Sequence, residues 1–101
     1  MKFKHNWEFE NDEAVEDLFT EGNKELSNLI VDSALLNLKT RKKQIPVVSI
    51  STKDNSLIYD IVISRPDLIE TLEQNLETME EYEDYERCQK IVNALKYLKP
   101  K

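Results

Sequence analysis

"IPVVSISTKDNSLIYDIVIS", residues 45–64, decides between an all-helical chain and a mixed one. Its halves, IPVVSIST (45–52) and SLIYDIVIS (56–64), are dense in Val and Ile and flank the turn-forming triplet Lys53-Asp54-Asn55. Branched side chains pack well on a pleated surface, so such runs bounded by turn residues read as strands. A lone hairpin is marginal in water, and this one needs a third strand, a helical cover or a second subunit.

The third strand is expected at the N-terminus. Phe3, His5, Trp7 and Phe9 alternate with Lys2, Lys4, Asn6, Glu8 and Glu10, the period of a half-buried strand over 2–9. Asn11 can cap a short helix with Ala14, Val15, Leu18 and Phe19 on one face, and Gly22, the only glycine, can stop it. From Asn23 to Thr40 a stripe of Leu26, Leu29, Ile30, Ala34, Leu35 and Leu38 predicts a longer helix. Lys39, Arg41, Lys42 and Lys43 then lie where cations suit the negative helix end, and no interleaved aromatic residue argues that they read nucleic acid.

Beyond the strands, Pro66 and Asp67 mark a helix start, and Leu68, Ile69, Leu72, Leu76 and Met79 recur at three and four. The pattern breaks at Glu80-Glu81-Tyr82-Glu83-Asp84 and resumes as Tyr85, Cys88, Ile91, Val92, Leu95 and Leu98, which predicts an antiparallel helical hairpin. The expected fold is α+β: a small antiparallel three-stranded sheet packed with helices, plus the C-terminal helical hairpin. One domain over 1–101 is expected, with an α+β body over 1–65 and the hairpin over 66–99.

Composition narrows function mostly by exclusion. Fourteen basic against twenty acidic residues give a net charge of −6, which opposes a non-specific grip on phosphates, so no direct nucleic-acid binding is expected. Residues 41–66 carry five basic and two acidic groups and are the basic part of the chain. A single Cys, Cys88, provides no internal disulfide and suits a reducing compartment. MKFKHNWEFE has no apolar run long enough for a signal peptide, and no stretch is apolar enough to span a bilayer. A cytoplasmic protein without membrane contact is expected.

No constellation of chemistry stands out. One His and one Cys cannot make a structural zinc site, and one glycine cannot build a phosphate cradle, so neither metal nor cofactor nor catalytic residue is expected. His5 reads as a core or interface histidine on the aromatic strand face, Cys88 as a small buried apolar residue, and Asp60 as a charge protecting a strand edge. Phe3, Trp7 and Phe9 are candidates for a secondary interface if the first helix leaves them uncovered.

"LEQNLETMEEYEDYERCQKIVNAL", residues 72–95, resembles the UVR motif, a helical hairpin shared by the excision-repair proteins UvrB and UvrC and by some activators of Clp proteases. The opening pair Leu72-Glu73, then Leu76, Met79, Glu83-Asp84, Tyr85-Glu86-Arg87-Cys88, Ile91 and Leu95 fall on the pattern without a gap. Cys88 and Gln89 replace its two alanines, and Val92 and Asn93 stand in place of its Arg-Asp pair. The resemblance implies protein binding: such a hairpin pairs with another hairpin or with a protein partner and performs no reaction. Leu72, Leu76, Met79, Glu83, Asp84, Tyr85, Glu86, Cys88, Ile91 and Leu95 are therefore the candidate protein-binding residues. Physically, Tyr85 is expected to close the hairpin over Leu76 and Met79, leaving Glu81, Glu83, Asp84 and Glu86 in water.

The reading that follows is a non-enzymatic adaptor or regulatory protein that docks through its acidic hairpin on a DNA-repair, protease or polymerase component. Two alternatives stay open. One is a small structural subunit of the kind used in phage assembly, which forms homo-oligomers through its strands; the other is an acidic nucleic-acid mimic that inhibits a DNA- or RNA-binding enzyme.

Overall fold

A computed structural model describes residues 2–20 and 22–100. The Val/Ile-rich stretch forms the hairpin expected of it, with β2 (Gln44–Thr52) antiparallel to β3 (Ile58–Ser64). The turn is fixed by Thr52, whose buried hydroxyl donates to Asp54 Oδ1 at 2.8 Å and accepts from the Leu57 amide at 3.2 Å. Asp54 also accepts from the Ser56 amide, and these bonds, the Ser56 one foremost, hold its carboxyl below the usual range. Asn55 takes the left-handed backbone (φ 57°) that asparagine tolerates well.

The third strand, β1 (Asn6–Phe9), joins β2, giving the order β1-β2-β3. It runs parallel to β2, with Trp7 beside Ile50 and Phe9 beside Thr52, so the sheet is mixed and the expectation of an all-antiparallel one is corrected. The reason lies in the connection: α1 (Asp12–Thr20) and α2 (Lys24–Leu36) intervene, and a helical crossover returns the chain to the end from which it left. β1 is also shorter than the alternation suggested. His5 falls before it and is exposed, which corrects its expected place on the buried aromatic face; its carbonyl still accepts from the Ser49 amide at 3.0 Å.

Local chemistry sets the helix ends. Asn11 Oδ1 accepts from the Ala14 amide and Asn23 Oδ1 from the Leu26 amide, both at 2.9 Å, as N-caps do. The second helix stops at Leu36 and not near Thr40, because the Asn37 side chain donates back to the Ser33 carbonyl at 2.8 Å and Thr40 donates to the Asn37 carbonyl. A short 3₁₀ turn (Arg65–Asp67) leads into α3 (Leu68–Glu81), and α4 (Tyr85–Leu98) completes the expected helical hairpin.

Among the described residues α1, α2 and α3 pack against the sheet, and α4 packs on α3 and α2. The core between them is built from Ile45, Val47, Val48 and Ile50 of β2, Val31 and Ala34 of α2, Leu68, Leu72 and Met79 of α3, and Ile91 and Ala94 of α4. A bulge between Pro46 and Val48 lets the adjacent Val47 and Val48 both be buried. The opposite sheet face, carrying Asn6, Glu8, Ser49, Ser51, Ile58, Asp60 and Val62, has no helix against it among the described residues and is mostly polar, as expected of a sheet with one wet face.

Candidate functional site

The turn between α3 and α4 answers what the acidic run does. Two backbone bonds, from the Asp84 amide to the Met79 carbonyl (2.9 Å) and from the Glu83 amide to the Glu80 carbonyl (3.1 Å), close the end of α3 as a Schellman motif. Its left-handed position is occupied by Glu83 at φ 59°, where glycine is the usual residue. A left-handed residue other than glycine costs about 1–2 kcal/mol, partly offset by the extra unfolded-state freedom a glycine would bring. Glu83→Gly is expected to stabilise the fold by about 0.5–1 kcal/mol in urea denaturation; a loss of stability would mean that the Glu83 side chain holds the turn.

Asp84 is not the free solvated acid the sequence suggested. Its side chain is 15% exposed; Oδ1 accepts from the Arg87 amide at 3.2 Å as the N-cap of α4, and Oδ2 accepts from Arg87 Nη1 at 2.8 Å. Lys24 Nζ of α2 stands 3.7 Å away. The Arg87 guanidinium, then its amide, lower the Asp84 pKa against a smaller opposing effect of burial. Arg87 in turn grips Asp32 of α2 with both oxygens, Nε to Oδ1 at 3.1 Å and Nη2 to Oδ2 at 2.8 Å. Asp32 and then Asp84 raise its already high pKa. One forked cation thus ties the start of α4 to the middle of α2, a geometry that Lys could not reproduce.

The candidate binding residues separate into two groups. Leu72, Met79 and Ile91 are withdrawn into the chain's own core, and Leu76, Cys88 and Leu95 are half-buried against it. These hold the hairpin on the sheet. Burial, then the Glu80 and Asp84 carboxylates, push the Cys88 thiol up, so it is a poor nucleophile. Glu83, Tyr85 and Glu86 are exposed, and Tyr85, at 66%, does not staple the hairpin over Leu76 and Met79 as expected. Tyr85 is the first residue of α4, and the inward face of that helix begins only with Cys88 and Ile91.

What remains at the tip is a cluster in which the sequence reading singled out Glu81, Glu83, Tyr85 and Glu86 but not Tyr82. Tyr82, 43% exposed, joins Tyr85, with Glu81, Glu83 and Glu86 around them and Lys24 Nζ 5.9 Å from the centre of the Tyr82 ring. The available signal was Arg87, a lone cation in an acidic run, three residues after Asp84 where a helix brings side chains together.

Elsewhere, Trp7 and Phe9 pack edge to face at 6.4 Å and rest half-buried on the core, while Phe3 is half-buried ahead of them. Of the basic run, Lys39 sits over Tyr97 at 5.6 Å, and Lys42 lines a cleft of about 510 Å³ with Lys2, Lys4 and His5. Among the described residues, no group of three or more His, Cys, Asp or Glu is placed to hold a metal ion, and no helix is long and apolar enough to cross a membrane. No family model matches the chain, and no curated protein or solved structure matches it significantly.

Proposed function

We infer that the chain is a non-enzymatic protein–protein interaction module, an adaptor or regulatory protein that docks through the tip of its α3–α4 hairpin. The observation that carries the reading is the pair of exposed tyrosines, Tyr82 and Tyr85, among Glu81, Glu83 and Glu86 on a turn anchored by Asp84 and Arg87. Tyrosines bring large contact area with few rotamers to lose, and they are over-represented among residues that dominate binding energy. A turn held from beneath has little ordering left to do on binding. The surrounding carboxylates favour a partner with a basic groove and would speed encounter more than they tighten the complex. The likeness to the UVR hairpin supports a protein partner, with the modification that docking here uses the tip and not the buried apolar stripe.

The test compares capture from the native host's lysate by wild type and by Tyr85→Arg, with retained proteins identified by mass spectrometry. Tyr85 lies outside the core, so the variant should melt at the wild-type temperature while binding a retained partner at least tenfold more weakly, the loss expected of a central tyrosine. Identical capture by both proteins would overturn the reading.

A further inference from the structure

A different surface carries a second inference. Among the described residues β3 pairs with β2 alone, and its other edge is open over all seven residues, Ile58–Ser64. The bulge lies in β2, which leaves β3 uninterrupted. Ile58, Tyr59 and Val62 of this strand are exposed, and exposed Phe19 of α1 meets Tyr59 edge to face at 5.7 Å. Half of the exposed large apolar side chains among the described residues therefore gather at one sheet edge, guarded by a single charge, Asp60. Natural edges of this length are normally blocked or paired.

The hydrogen-bond phase of β3 defines what can pair there. The Thr52 amide bonds the Leu57 carbonyl at one end, and the Arg65 amide bonds the Lys43 carbonyl at the other. Antiparallel alternation then turns the backbone groups of the odd-numbered residues toward β2 and those of Ile58, Asp60, Val62 and Ser64 outward. Two copies of β3 can meet antiparallel only with these outward residues bonded to one another. Centring the two-fold on Asp60 would set carboxylate against carboxylate, which is unfavourable. Centring it on Val62 would bring Ile58 against Pro66, which has no N–H to give. Centring it on Ile61 pairs all seven residues, Asp60 with Val62 of the second copy and Ile58 with Ser64, and separates the two carboxylates.

We propose that this chain forms a two-fold homodimer by antiparallel β3–β3 pairing centred on Ile61, making one six-stranded sheet. A two-fold perpendicular to the sheet keeps both helical layers on the same side and leaves both hairpin tips free. The interface is separate from the docking tip, so either can fail without the other.

Sedimentation equilibrium of the full chain at concentrations up to the order of 0.1 mM tests it with three substitutions at Val62, a position whose N–H points away from β2. Wild type is expected to sediment as a dimer, and Val62→Pro, which removes an outward donor without taking one from β2, as a monomer. Val62→Lys sets an ammonium opposite Asp60 of the second copy and should tighten the dimer, whereas Val62→Glu should loosen it. Their dissociation constants are expected to lie about tenfold apart. A monomeric wild type overturns the proposal, as does a dimer indifferent to the sign of the charge at position 62. Should the proline variant unfold by circular dichroism, the Lys and Glu pair decides alone.

Discussion

Arg65→Ala should cost about 3 kcal/mol of folding stability, far more than an ordinary surface arginine. Its guanidinium donates from Nη1 to the Asn37 carbonyl at 2.8 Å, from Nε to the Lys42 carbonyl at 2.9 Å, and from Nη2 to both the carbonyl and hydroxyl oxygens of Thr40 at 2.9 Å. Its own amide bonds the Lys43 carbonyl at 2.8 Å, so one residue joins the end of β3 to the whole connection from α2 to β2. Bonds from a charged donor contribute about 1.5–3 kcal/mol each, but most of these carbonyls can turn to water once released, so the four do not add in full. The cation also faces the negative end of α2. Arg65→Lys keeps that charge and loses the fork, and it should recover less than half of the loss. Urea denaturation of both variants checks this; equal stability of Arg65→Lys and wild type would show that charge alone matters.

Arg65 also marks where sequence reading ends. The β2–β3 hairpin, the helical hairpin, the cap Asn11 and the buried face of α3 were legible because each depends on neighbours a few residues apart. Strand direction for β1 was less accessible, since alternation reports burial and is the same for either orientation. The contacts of Arg65 with residues 37–42 and of Arg87 with Asp32 span 23 to 55 positions, and no local period encodes them. For the same reason the candidate residues divide in the fold, Leu72, Met79 and Ile91 lying in the core and Glu83, Tyr85 and Glu86 at the surface. Periodicity selects the apolar stripe, which the fold uses in its own core, whereas Tyr82 and Tyr85 stay exposed because the helices end there.

That division gives a second large effect and a control on the first-named function. Leu72, fully buried at the centre of α3, should lose about 3 kcal/mol on truncation to alanine, because a cavity in a close-packed core relaxes only partly. A chain of this size has roughly 5–15 kcal/mol in total, so Leu72→Ala should remain mostly folded at low temperature with a melting point lowered by about 12–24 °C. Under those conditions it should capture partners as well as wild type does, since the tip is anchored by Asp84, Arg87 and Asp32 and not by Leu72. Tyr85→Arg should show the opposite pattern, unchanged melting with weakened capture. If Leu72→Ala loses capture while its circular dichroism remains native, the binding surface includes the apolar stripe. The hairpin would then have to lift from the sheet to bind, at the cost of exposing Leu72, Met79 and Ile91 to water.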